Sequence, residues 1–87
     1  MNETAQLNLA LMEELQAFDP YEAGEGFYET EMADVIYAVH QQEKALKLAA
    51  QIRSIYEHSF DQPMPGGEPI ELAEKLLEIK RNSSCSL

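Results

Sequence analysis

Apolar residues recur along this chain at steps of three and four, and the two-residue alternation of a half-buried strand never persists. Leu7, Leu11, Leu15 and Phe18, with Met12 beside them, form one stripe and predict a first helix over about residues 3–17. Asn2 or Thr4 can cap it, and Glu3 lies near the positive end of the helix dipole. Asp19-Pro20 ends it, because the residue before a proline is pushed out of the helical region. A loop with Gly24 and Gly26 follows. Tyr28, Met32, Val35, Ile36 and Val39 then fall at offsets 0, 4, 7, 8 and 11, predicting a second helix from Tyr28 or Thr30 to about His40.

No glycine or proline separates His40 from Glu43, so a single helix reaching His58 has to be weighed. The phase of the next stripe, Ala45, Leu48, Ala49, Ile52, Ile55 and Tyr56, argues against it. At ~100° per residue the step from Val39 to Ala45 rotates the face by about 240°, so one straight rod cannot aim both stripes at one core. A tight turn at Gln41-Gln42 resolves the conflict, and the third helix ends around Ser59. Pro63, Pro65, Gly66 and Gly67 mark a loop. Pro69, Glu71 and the Lys80-Arg81 pair frame a fourth helix carrying Leu72, Leu76 and Ile79, flanked by Ala73 and Leu77. The fold class is therefore all-α: a small four-helix bundle with a tight hairpin between the second and third helices. One domain is expected over 1–82, with a flexible polar tail over 83–87.

Eighty-seven residues bury only about 60–65% of the unfolded chain's surface, so such a core is thin and needs close packing, a staple or a second subunit. Cys85 is the only cysteine and cannot close an internal disulfide, which suits a reducing cytoplasm. The N-terminus lacks the basic-then-apolar order of a secretion signal, and no stretch approaches the ~20 apolar residues of a membrane span. A cytoplasmic location is expected. Tyr37, Leu46 and Leu77 fall beside the stripes, which leaves room for a homodimer.

Charge changes the picture more. The net charge is −10, and residues 1–43 contain ten acids and no Lys or Arg. Residues 44–87 hold six of each and sum to zero, so the whole excess lies in the first half. That half repels phosphate and anionic lipid, which argues against nucleic acid or membrane as partner. It steers towards a basic protein or a divalent cation, the competing reading being charge for solubility alone.

Reactive constellations are sparse. A di-iron bundle needs Glu-x-x-His on two helices, and the chain has none; His40 and His58 near helix ends read as end-of-helix cations or caps. Cys85 has no positional tie to either histidine, and Gly66-Gly67 is followed by Glu68-Pro69, which disfavours phosphate. No catalytic residue and no cofactor is expected. One carboxylate pattern stands out: Glu13-Glu14 on the first helix, then Glu31-Met32-Ala33-Asp34 on the second. It resembles the signature of the all-α nucleotide pyrophosphatases, in which such acids hold Mg²⁺, and Glu14, Glu31 and Asp34 are the metal candidates that resemblance implies. Positions three apart share a helix face and can grip one hard cation. Ala17 stands where that signature has its third glutamate.

The segment from Phe18 to Glu31 interleaves aromatic and acidic residues. Rings that supply buried area at low entropic cost, flanked by acids that speed encounter, suit the binding of a basic protein. Asp19, Tyr21, Glu22, Glu25 and Glu29 are the partner-binding candidates. The competing arrangement folds Phe18, Phe27 and Tyr28 inward to pin the loop and leaves Tyr21 outside.

Asp19-Pro20, Tyr28-Glu29-Thr30-Glu31, Asp34-Val35-Ile36, Ala49 and the run from Ile52 to Phe60 together resemble the YugE-like family of small uncharacterised helical proteins from Bacillus-type bacteria. The resemblance spans about residues 5–64 and implies a helical bundle without implying an activity. A looser similarity of charge and loop composition points to small helical immunity proteins that neutralise bacterial toxins. The expected function is a small acidic adaptor or inhibitor of a basic protein, with the pyrophosphatase-like hydrolase as the alternative.

Overall fold

The computed structural model describes residues 3–24 and 26–85. Four helices are present: α1 (Glu3–Gln16), α2 (Glu29–Gln41), α3 (Ala45–Phe60) and α4 (Ile70–Cys85). No strand occurs among the described residues, so the all-α reading holds. Each of α1 and α3 packs against both α2 and α4, and α2 and α4 also meet across the middle.

The second stripe enters the core entire: Tyr28, Met32, Val35, Ile36 and Val39 are all buried. Leu11 and Leu15 of α1, Leu48, Ala49, Ile52 and Tyr56 of α3, and Ala73 and Leu76 of α4 complete it, and Met64 joins from the loop before α4. Leu77 is a correction to the sequence reading. It is 1% exposed and belongs to the core, whereas Tyr37 and Leu46 stay outside at 69% and 66%. The buried face of α4 is centred on Ala73, Leu76 and Leu77, one position round from the Leu72–Leu76–Ile79 line. Two lines so close in phase are hard to rank from periodicity.

Helix α2 stops without glycine or proline. Gln42 takes an extended conformation (φ −115°, ψ 139°), and its N–H still donates to the Ala38 carbonyl. The last turn of a helix leaves carbonyls without intrahelical donors. Here Lys80, from α4, reaches across and supplies them. Its Nζ donates to the carbonyls of Val39 (2.8 Å) and Gln42 (3.3 Å) and to Glu43 Oε1 (2.8 Å). One ammonium thus caps α2, fixes the 42–44 connection and ties both to α4. His40 serves the other side of the same end, its Nε2 donating to Asn8 Oδ1 on α1 (2.7 Å). The imidazole read as a helix-end group is thus also a cross-link between helices.

The C-terminal end of α4 differs from expectation. The helix was expected to stop near Lys80-Arg81, and it continues to Cys85, so residues 83–85 of the expected flexible tail are helical. Asn82 and Ser83 are only mild helix breakers, and Lys80 anchors the turn they extend. Residues 86 and 87 of that tail, and the Asn2 cap, lie outside the described residues. Between α3 and α4, Asp61 adopts a left-handed conformation (φ 54°) that closes α3. Glu57 then accepts the Met64 N–H at 2.7 Å and the Arg53 Nε–H at 3.0 Å, which holds the loop against α3.

Candidate functional site

The aromatic–acidic segment is built around Asp19. After α1 ends, the Phe18 N–H donates to the Leu15 carbonyl (3.0 Å) and the chain turns, with Glu22 in the left-handed region at φ 54°. The Asp19 carboxylate then gathers the loop onto itself. The Tyr28 hydroxyl donates to Oδ1, as does the Ala23 N–H at 2.9 Å, and the Gly24 N–H donates to Oδ2 at 3.1 Å. Gly24 sits at φ +91°, a conformation that an L side chain rarely adopts, so glycine is what lets that amide face the carboxylate. The Tyr28 hydroxyl in turn accepts the Tyr21 N–H at 3.2 Å.

These contacts set the protonation of the pair. The Tyr28 hydroxyl, with the Ala23 and Gly24 amides, holds the Asp19 carboxyl below its ordinary value. Burial, reinforced by the Asp19 charge, pushes the Tyr28 phenol up. The shared proton therefore stays on the phenol, and Asp19 stays ionised.

The rings fix the loop to the bundle. Tyr21 stacks on Phe60 with centroids 4.5 Å apart and an interplanar angle of 3°, and its hydroxyl donates to the Gln62 carbonyl at 2.8 Å. Phe18 meets Tyr56 edge to face at 5.4 Å, and Tyr28 lies 5.4 Å from Tyr56 and 5.3 Å from Phe60. The expected arrangement is thus reversed at two rings. Tyr21 folds inward and Phe27 is the one that projects, 67% exposed. Phe60, placed by the end of α3, offers Tyr21 a flat apolar partner and the Gln62 carbonyl accepts its hydroxyl, whereas Phe27 has no ring partner among the described residues.

The partner-binding candidates therefore separate. Asp19, although exposed, and the half-buried Tyr21 hold the loop together, whereas Glu22 and Glu29 are exposed without such a role. Glu25 lies outside the described residues. Glu13 and Asp34 are also exposed. Ion pairs among the described residues join Arg53 to Glu57 and Glu68, and Lys80 to Glu43. Among the described residues the acids between 13 and 34 take part in none of these pairs, whereas Glu43, in the same half of the chain, is reached by Lys80.

The metal candidates do not act as a unit. Glu31 is buried, Glu14 half-buried and Asp34 exposed, and the described residues contain no group of three or more His, Cys, Asp or Glu side chains that could hold an ion. Glu31 is the buried acid of the core, in the first turn of α2 where the helix dipole favours a negative charge. Burial, with the Glu31 charge added to it, raises the Tyr56 phenol well above the ordinary value. The Tyr56 hydroxyl is buried without a hydrogen-bond partner among the described residues.

Beside the loop lies a cavity of about 370 Å³. Leu15, Met32 and Tyr28 line it together with Gln16, and Asp19 and Glu29 add carboxylates. The cavity is formed where the end of α1, the glycine turn and the start of α2 diverge around Asp19. Its existence was not legible from the sequence, because it depends on how far Tyr28 is drawn towards Asp19. No helix among the described residues is long and apolar enough to cross a membrane.

Comparisons with known proteins agree with this architecture. Residues 10–86 match the family described as a domain of unknown function, DUF1871. The match includes α4, beyond the span of about 5–64 on which the sequence resemblance rested. The uncharacterized protein YugE of Bacillus subtilis (strain 168) is 45% identical over 69 residues, covering 79% of this chain and 80% of its own. A crystal structure from Bacillus stearothermophilus superposes with a TM-score of 0.82 at 45% identity, covering 90% of this chain and 96% of the other.

Proposed function

The chain belongs to the DUF1871 family of YugE-like proteins, and we propose that it is an interaction module that docks a basic protein on the surface formed by α1, the 18–28 loop and α2. The observation that carries this is the distribution of charge partners. Glu13, Glu22, Glu29 and Asp34 are exposed on a half of the chain without a lysine or arginine, so their field is directed at solvent. A surface of one sign steers an oppositely charged partner and raises its rate of encounter. Phe27 adds an exposed ring between the acids, and an aromatic anchor within a charged rim is the usual composition of a binding hot spot. The loop beneath is fixed by Asp19 and Tyr28, so the surface is offered in one shape. An adaptor or inhibitor role is compatible with a chain this small.

The test is capture from native lysate at low and at high salt, with wild type beside a Glu22→Gln/Glu29→Gln/Phe27→Ala variant. Wild type is expected to retain a basic protein at low salt and release it at high salt, since exposed charges are screened beyond ~8 Å at physiological ionic strength. The variant is expected to retain much less. Equal retention by the two proteins refutes the reading.

A further inference from the structure

We propose that the cavity beside the 18–28 loop receives an arginine side chain of the basic partner. The inference rests on the interaction reading above and adds the residue type that is recognised. Leu15, Tyr28 and Met32 lie at the floor of the cavity with only narrow strips of surface open to it, the Gln16 side chain and the glycine turn complete the lining, and Asp19 and Glu29 supply its charges. That combination fits one class of side chain. A long methylene stem lies against apolar surface while its charged head meets carboxylates, and a planar guanidinium bonds two acceptor groups at once. A lysine ammonium is more strongly hydrated and less suited to a half-enclosed space with an apolar floor. An apolar side chain would strip water from the two carboxylates and return no hydrogen bond.

Acceptor capacity remains for the newcomer. Asp19 Oδ1 takes the Tyr28 hydroxyl and the Ala23 amide, and Oδ2 takes the Gly24 amide, with the Glu22 amide also turned towards the carboxylate; a carboxylate oxygen can accept two donors, so among the described residues one acceptor position stays open. Glu29 is exposed. Among the described residues no ion pair joins Asp19 or Glu29 to a lysine or arginine; those present link Arg53 to Glu57 and Glu68, and Lys80 to Glu43.

The experiment titrates the ¹⁵N-labelled full chain with acetyl-Gly-Arg-Gly-amide and with the same peptide carrying citrulline, which keeps the shape and loses the charge. Saturable shifts are expected at the amides of Ala23, Gly24 and Glu29, with citrulline binding about tenfold more weakly. Glu29→Gln is expected to weaken the arginine peptide about fivefold. Glu74→Gln, an exposed acid of α4 that lies outside the docking surface and does not line the cavity, is expected to weaken it less than about twofold. Equal effects of Glu29→Gln and Glu74→Gln, or equal binding of the two peptides, overturn the proposal, because a general field or shape alone would then account for binding. If lysate capture is salt-sensitive while the cavity amides stay silent, the arginine pocket fails and the interaction reading stands. Loss of salt-sensitive capture removes the interaction reading independently.

Discussion

Replacing Lys80 by methionine keeps the length and apolar stem of the side chain and deletes its ammonium. In the fold that ammonium is largely enclosed, with 15% of the side chain exposed, and it bonds the Val39 and Gln42 carbonyls as well as the Glu43 carboxylate. A hydrogen bond from a charged donor contributes ~1.5–3 kcal/mol, and a partly buried cation at a helix C-terminus up to ~2 kcal/mol. These figures describe the same contact from two sides and are not summed. The expected loss is therefore about 2 kcal/mol, or a Tm lowered by roughly 10 °C in a domain of this size. Thermal unfolding followed by circular dichroism measures it. Glu43→Gln separates the carbonyl contacts from the ion pair. Glu43 is an exposed partner, so its loss should leave Tm nearly unchanged, and the effect of Lys80→Met should persist in 1 M salt, where the screening length is only ~3 Å. If Lys80→Met unfolds at the wild-type temperature, or if Glu43→Gln reproduces the whole loss, the capping of α2 by Lys80 is refuted.

Three further outcomes follow from the geometry. Tyr56→Phe removes a buried hydroxyl that has no partner among the described residues, so urea denaturation should show stability unchanged or raised by up to ~1 kcal/mol; a clear loss would mean that the hydroxyl is satisfied. Leu77→Ala should cost ~2–5 kcal/mol and Leu46→Ala under about 0.5 kcal/mol, because the first leaves a core cavity and the second exchanges one exposed group for another; similar values for the two would contradict the placement of α4. Asp19 has a folded pKa below its ordinary 3.8, so its contribution is complete above that value and is lost as the pH falls through the lower folded value. The Ala23 and Gly24 amide shifts should hold steady from pH 7 down to about 4 and then move together, and in Asp19→Asn this acid transition should disappear.

Much of the fold was legible because helical periodicity is a local property. The five stripe residues of α2 all proved buried, and the break near Gln42 followed from phase alone although no breaker residue stands there. Three features depended on distant neighbours and were not legible. Lys80 reads in sequence as a cation suited to the end of its own helix, and it serves α2 across a separation of 41 positions. Tyr21 and Phe27 are both aromatics in a glycine-containing loop, without periodicity to rank them; the choice was made by Phe60 and the Gln62 carbonyl. Glu31 carries the same charge as its exposed neighbours Glu29 and Asp34, and only the register of α2 against the bundle draws it inward. The acid pattern that resembled a metal signature was thus divided between core and surface.

The fastening of the loop by Asp19 has a thermodynamic corollary. A segment already tied down at Tyr28, Ala23 and Gly24 gives up little conformational freedom when a ligand arrives, so complex formation should proceed as the meeting of two rigid bodies. Calorimetry should then register a heat-capacity change proportionate to the contact area alone, without the excess that accompanies folding on binding.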